Sequence, residues 1–432
     1  MDRRAMLKAV GGTALAAALA GCSSLIGAGT NQDTSGEVSD VPDEPIQAGL
    51  QTFTEGPAAV LGLQSQYGAE LAVERINAAG GIAGREIQLD VKHEADAYVE
   101  NYTQFVSEGK EVTFGPVSSG GHAALAPEVE AQGVVNVSTD GTVTTLYEET
   151  VPDPTYSFRF QNYDVMECVS AARETVNRLG AENVNTVAGI NPNYAFGKDE
   201  WKVYTTALQK LTDVEIVYEG FPDLLADDMS THITEINNQQ PDVTFSSQWG
   251  GDVVTMMNQA AANNMFDNTQ LVGTVLYSAV NDLSQDIVEQ AQAFSGSRNY
   301  YWGEPEPSRW SPGQKMLDDA RSKWDIIPSG HFMSGYGAVA SWATATEKAV
   351  NLLGGWPSQE QIAMSLEGHG FFTPAGYHVM SERHQGLSTT YFGEMGWSGD
   401  VGAPVLNDIN SYSPPDVSPP PGTKSIDWIE SW

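Results

Sequence analysis

Residues 62–89 read GLQSQYGAELAVERINAAGGIAGREIQL, which holds a helix, its stop and the start of a strand. Leu63, Tyr67, Leu71, Ala72 and Ile76 recur at the three- and four-residue spacing of one helix face. Gly80-Gly81 predicts a left-handed cap that closes this helix. Residues 86–93 then alternate apolar and polar side chains, as a strand does. Upstream, residues 46–53 predict a first strand ending in the turn-like Thr54-Glu55-Gly56-Pro57. The unit is strand, helix, strand.

The same alternation continues outward. Residues 101–108 predict a helix, and 112–114 a short buried strand entering Gly115-Pro116-Val117-Ser118-Ser119-Gly120-Gly121. A helix is expected from about 122 to 132, stopping at Gly133, followed by a strand at 134–138. Further strands and helices follow at 186–190, 197–211, 214–219, 230–238, 243–247, 253–263 and 271–274. Such order implies parallel sheets with crossover helices. The body is too long for one five- or six-stranded unit, so the expected fold is α/β with two doubly wound lobes. Polar loops follow the strands: Ser118-Ser119, Ser138 through Thr142, 191–194 and Gln248-Trp249-Gly250-Gly251. Open α/β sheets collect ligands beyond the carboxyl ends of their strands. Hydroxyls and amides there suit an anionic group, with Tyr194 and Trp249 as flat walls. The same Ser and Thr residues also suit plain helix caps, and Trp249 plain packing.

Composition narrows the partners. The chain has 432 residues, enough for two or three domains, and its 10 Trp, 16 Tyr and 14 Phe exclude a wholly disordered polymer. With 56 acidic against 21 basic residues the net charge is −35, which excludes nucleic acid and anionic lipid surfaces as general electrostatic partners. Acid spread along the whole chain and scarce Lys predict a protein of an extreme halophile, kept soluble in concentrated salt.

The first 22 residues predict an export signal: a basic start, a short Ala/Gly/Leu run and Leu19-Ala20-Gly21-Cys22. Arg3-Arg4 before Met6-Leu7-Lys8 resembles the twin-arginine signal. The Leu-Ala-Gly-Cys end resembles a lipobox, which would make Cys22 the acylated first residue of the mature chain. Residues 23–44, rich in Ser, Gly, Asp and Pro, predict a flexible tether. Cys168 is the one further cysteine, so no intrachain disulfide framework is expected and Cys168 reads as a small core residue.

Gly56-Pro57 with residues 62–89, FGPVSSGGHAALAPEVEAQGVVNVSTDGT (114–142), NYAFG (193–197) and FFTPAGYHVMSERHQG (371–386) resemble the branched-chain amino-acid-type solute-binding proteins of ABC importers. The resemblance spans most of residues 45–395. It implies a type I periplasmic-binding fold, two lobes joined by three hinge crossovers that close over a ligand. By analogy lobe 1 is expected at 45–160 plus 299–370, lobe 2 at 161–298 plus 371–412, and an extended Pro-rich tail at 413–432.

The resemblance further implies that Ser118, Ser119, Gly120, Ser138 and Thr142 hold a ligand carboxylate, with Tyr194 and Trp249 closing on the remainder. Departures bear on the ligand. Val275, in Gly273-Thr274-Val275-Leu276-Tyr277, stands where amino-acid binders carry an acid for the α-ammonium. Leu61 replaces an aromatic, and Asp140 replaces a small apolar residue. Asp140 is therefore a candidate partner for an amine, amide or urea-like donor, and Tyr277 a candidate hydroxyl near the displaced acid. Amino acids, amides, urea-like compounds and aromatic acids stay open as ligands.

No zinc-protease, nucleophile-elbow or Walker pattern is present, and the seven His residues are scattered, His122 being the one near the expected cleft. The expectation is thus a non-enzymatic receptor, without cofactor or metal, monomeric and lipid-anchored on the outer face of the cytoplasmic membrane. It would deliver a small polar solute to ABC permease subunits. A membrane-tethered sensor on the same fold is the first alternative and an exported hydrolase the second.

Overall fold

The computed structural model describes residues 40–303 and 311–432. The export signal, Cys22 and the tether up to residue 39 lie outside the described residues.

The first strand, β1 (Ile46–Thr52), is buried along nearly its whole length, the pattern of a central strand covered on both faces. It leads into α1 (Ala59–Ala78). Gly81 after it has φ +72°, and a Cβ there would sit 2.1 Å from the Arg85 carbonyl oxygen. Only glycine makes that turn. β2 (Ile87–His93), α2 (Tyr98–Ser107), β3 (Val112–Phe114), α3 (Ser119–Gln132), β4 (Asn136–Ser138) and β5 (Ser157–Arg159) complete the first lobe's sheet. Its order is β2-β1-β3-β4-β5, all parallel. Helix α3 starts at Ser119 rather than about 122, because the Ser118 hydroxyl accepts the Gly121 amide and caps the end despite the two glycines.

The chain crosses at 160–163 into α4 (Asp164–Leu179), β6 (Thr186–Ile190), α5 (Ala195–Leu211), β7 (Glu215–Gly220), α6 (Ser230–Gln239), β8 (Val243–Ser246), α7 (Gly251–Ala262), β9 (Gln270–Gly273), α8 (Gln285–Ala291) and β10 (Phe294–Gly296). It returns through α9 (Ser311–Trp324), α10 (Gly330–Leu353) and α11 (Gln359–Leu366) to a small antiparallel sheet of β11 (His369–Thr373), β12 (Gly376–Met380) and β13 (Gly386–Leu387). The last strands, β14 (Thr390–Ser398) and β15 (Ala403–Tyr412), extend the second sheet, whose order is β15-β14-β10-β9-β8-β6-β7. There β6 to β10 are parallel, and β14 and β15 add an antiparallel edge. This is the α/β, two-lobed architecture with parallel-sheet cores.

Two boundaries differ from expectation. Phe371, Ala375 and Met380 pack in the first lobe's core with Ile46, Phe114 and Trp342. Residues 371–387 therefore belong with lobe 1, and the third crossover falls at 388–389, before β14. The tail is not extended either. It forms α12 (Pro414–Val417) and α13 (Ser425–Glu430), and buries Val417 and Ile429 against the second lobe beside Val169, Val203 and Leu208. The prolines set the first of these turns, and isolated apolar residues too sparse to show a period supply the anchors. Cys168 is buried in that same core.

Replacing Ile429 with Ala removes a fully buried anchor. It is expected to destabilise the fold by about 3 kcal/mol, read as a lower midpoint in denaturant titration at fixed salt; an unchanged midpoint contradicts the docking of the tail.

Candidate ligand-binding cleft

A cavity of about 310 Å³ opens between the lobes, at the lower end of the size range of small-molecule sites. Apart from His331, every wall comes from a loop beyond the carboxyl end of a strand or from the helix that follows it. From lobe 1 come Phe53 and Leu61 after β1, Tyr98 after β2, Val117, Ser118 and Ser119 after β3, and Asp140 and Thr142 after β4. The second lobe gives Tyr194 and Phe196 after β6, Leu224 and Leu225 after β7, and Trp249 after β8. Arg298, just past β10, and His331, at the start of α10, complete it.

The serine loop is shaped from beneath. Glu94 is fully buried, and its carboxyl oxygens accept the amides of Val117 (2.8 Å) and Ser118 (2.9 Å). Burial pushes this carboxyl up to about 8, with those two amides opposing. The Val117 and Ser118 amides are thereby taken. Ser119 Oγ accepts the Thr142 amide at 3.2 Å, tying the two loops together. Thr142 Oγ1 is buried in the cavity wall with the Asp164 carboxyl nearby but no hydrogen bond of ordinary geometry among the described residues. Such a hydroxyl is one that a bound polar group would satisfy.

Across the cleft Trp249 Nε1 donates to the Tyr194 hydroxyl at 2.9 Å, fixing two aromatic planes. Gly250 follows with φ +57°, and a Cβ there would come within 2.9 Å of Val60 Cγ1 of the opposite lobe. Glycine permits that approach. At the mouth, Leu225 has φ +63° and is held by its amide donating to Asp252 Oδ2 at 2.9 Å.

The floor is ionic. Arg298 Nη1 lies 3.4 Å from Asp140 Oδ1 and 3.3 Å from Glu167 Oε1, while His331 Nε2 lies 3.1 Å from Asp140 Oδ2. The Gly141 amide donates to Asp140 Oδ1 at 3.1 Å. Burial works to raise the Asp140 carboxyl, but Arg298, His331 and Gly141 outweigh it and hold it below its ordinary value. Burial keeps His331 neutral, so it acts as a hydrogen-bond donor rather than a cation. Deeper in lobe 2, burial raises Asp164 and Glu167 well above the usual carboxylate range and Glu200 to about 7.

Of the residues expected from sequence, Ser118, Ser119, Asp140, Thr142, Tyr194 and Trp249 line this cavity. Three do not. Gly120 is exposed on the first turn of α3. Ser138 Oγ lies 2.9 and 2.7 Å from the Pro116 and Asp140 carbonyl oxygens and closes its own loop. Tyr277 is 1% exposed, accepts from Trp302 Nε1 at 2.9 Å and donates to the Pro404 carbonyl at 3.0 Å. Its hydroxyl is a structural tie in lobe 2. Asp140 needs a correction of another kind: it is in the wall, but its charge is engaged by Arg298 and His331 and not available to an amine. His122 is fully buried beneath the loop, and burial pushes it down to about 3.

Sequence reasoning missed Glu94, Arg298 and His331. Nothing marks Glu94 among 56 acidic residues, but Arg298 carried a signal. A basic residue is scarce in this chain, and this one sits in Ser-Gly-Ser-Arg-Asn where a strand ends and the chain changes lobes. Among the described residues no cluster of three or more His, Cys, Asp or Glu is arranged to hold a metal, and no helix is long and apolar enough to cross a membrane.

A family model described as periplasmic binding protein matches residues 45–400. A Leu/Ile/Val-binding protein of Rhizobium johnstonii is 24% identical over 330 residues, covering 74% of this chain and 83% of that one. A leucine-, isoleucine-, valine-, threonine- and alanine-binding protein of Pseudomonas aeruginosa is 24% identical over 343 residues, covering 77% and 85%. Among solved structures, an ABC-transporter solute-binding protein of Rhodopseudomonas palustris in complex with 3,4-dihydroxybenzoic acid superposes with a TM-score of 0.74 at 17% identity, covering 88% of this chain and 100% of that chain.

Glu94 and Glu200 hold their protons to higher pH in the fold than in the unfolded chain, so the native state binds more protons between their unfolded values and about 8 and 7. Below about 6.5 the buried neutral histidines act the other way, so stability is expected to fall as pH rises from about 6.5 to 8. Thermal melts of wild type and of Glu94→Gln and Glu200→Gln across that window check it; a variant slope as steep as wild type contradicts the assignment.

Proposed function

Since the chain belongs to the periplasmic binding protein family, we propose that it is an extracytoplasmic receptor that captures a small organic solute between its lobes and passes it to the membrane subunits of an ABC importer. The observation that carries this reading is the cleft itself: a cavity of about 310 Å³ between two lobes, walled by strand-end loops of both, with the buried Thr142 hydroxyl in it. Relatives named for amino acids and a structural neighbour bound to an aromatic acid support a solute that carries a carboxylate. Amides and urea-like compounds, left open by the sequence, lack that group and fall behind.

In this reading Ser119 and Thr142 supply hydroxyls to the polar end of the solute, and Tyr194 and Trp249 cover its body. The receptor works as a monomer, exported through the twin-arginine route and held to the outer face of the cytoplasmic membrane by acylated Cys22. The acidic composition adapts it to concentrated salt.

Isothermal calorimetry of the mature chain in molar salt tests the placement of the site. Trp249→Ala is expected to weaken binding by roughly 30-fold and Thr142→Val by roughly 10-fold; full affinity in both variants contradicts it. The salt reading has its own check. The melting temperature is expected to climb steeply from low to molar salt, and a flat profile contradicts a halophilic origin.

A further inference from the structure

We propose that the solute is a monocarboxylate with an apolar, ring-sized body and no ammonium group, and that Arg298 is the residue that anchors its carboxylate. This rests on the receptor reading above and narrows its substrate.

Arg298 lines the cavity and is 5% exposed. Its contacts with Asp140 and Glu167, at 3.4 and 3.3 Å, are both made by Nη1 and are longer than the 2.7–2.9 Å of a tight charge-assisted bond. A guanidinium has five donors, and Nε is buried without a partner among the described residues. The side chain thus sits in the wall with donor capacity unspent. Its backbone is left-handed, at φ +59°, a conformation unfavourable to a non-glycine residue. Thr142 Oγ1, in the same wall, is a second polar atom without a hydrogen bond of ordinary geometry among the described residues.

Nothing comparable awaits a cation. Asp140 is the one buried carboxylate among the described lining residues, and Arg298, His331 and the Gly141 amide already engage it. Asp96 is exposed at the rim, where water screens it. Val275, beside the ionic floor, is 1% exposed and packed with Val117 and Trp249, and offers a cation nothing. The remaining wall, chiefly Phe53, Leu61, Phe196 and Leu225, is apolar. An ammonium desolvated there would go uncompensated.

The charge beneath the loop agrees. Arg159 is buried under residues 140–143 and donates to the carbonyl oxygens of Gly141 (2.6 Å) and Val143 (2.9 Å) and to Gln385 Oε1 (2.6 Å), none of them a carboxylate. Asp164 and Glu167 nearby are pushed by burial toward their neutral forms. Two buried guanidinium groups thus stand at the cleft of this strongly acidic protein, beside carboxyls that burial pushes toward neutral, as an anion site requires.

The test is calorimetry of the mature chain in molar salt with matched probes that differ in one group: 4-methylpentanoate against leucine, 3-phenylpropanoate against phenylalanine, and benzoate against benzamide. Each carboxylate lacking nitrogen is expected to bind about 100-fold more tightly than its counterpart. Leucine or phenylalanine binding as well as its deaminated analogue, or benzamide as well as benzoate, overturns this proposal and leaves the receptor reading standing. Silence from all six, and from a wider panel of amides and ureas, overturns both. Arg298→Lys, which keeps the charge opposite Asp140, is expected to lose at least about 10-fold for benzoate. An Arg298→Gln/Asp140→Asn pair, which removes both charges together, is expected to lose the preference for benzoate over benzamide. Unchanged preference in that folded double variant also overturns the assignment.

Discussion

The contact between Asp140 and Arg298 is the constraint on which the cleft depends. One partner stands on the loop after β4 in the first lobe, the other where β10 ends and the chain leaves the second. Burying two charges is expensive, and each is tolerable only because the other is present. Their pairing is supported by His331 from α10 and Glu167 from α4, so four separate segments converge on one ionic floor. The same pairing decides the chemistry above it: it removes Asp140 from the set of groups able to meet a cation, and holds a guanidinium in the wall.

Around that floor the three crossovers are cross-linked by buried polar side chains. Arg159, just before the first crossover, bonds Gln385, just before the third, and the Gln385 amide also donates to the Gln161 carbonyl at 2.6 Å. Asn162 donates to Ser388 O and Thr390 Oγ1 at 3.1 and 3.0 Å. Ser297 and Arg298 exchange backbone hydrogen bonds with Tyr391. Satisfied networks of this sort fix one geometry where plain apolar packing would tolerate several. They give the lobes a defined mutual placement while leaving the facing loops, Gly250 against Val60 among them, to meet by shape.

Much of the architecture was legible because it is written in local signals. The apolar spacing from Leu63 to Ile76, the Gly80-Gly81 stop and the short buried runs each report on a few neighbouring residues. So do Ser118 and Thr142, whose types advertise strand-end loops. What was not legible depends on partners far along the chain. Asp140 looks like a free acid until Arg298, 158 positions later, is seen beside it. Tyr277 looks like a ligand hydroxyl until Trp302 and Pro404 claim it. The tail's Pro-rich composition masks Val417 and Ile429, which matter only because a groove in lobe 2 receives them. Residues 371–387 were assigned to lobe 2 because a strand pattern does not say which core it faces.

The central claim is that a largely apolar cleft holds a guanidinium ready for a carboxylate inside a chain of net charge −35. Mass spectrometry of small molecules released from the protein, purified without denaturation from its own host, tests that claim most directly. The account predicts an organic acid with a single carboxylate and no amine, present at close to one per chain. An amino acid, an amide or a urea in its place would contradict it.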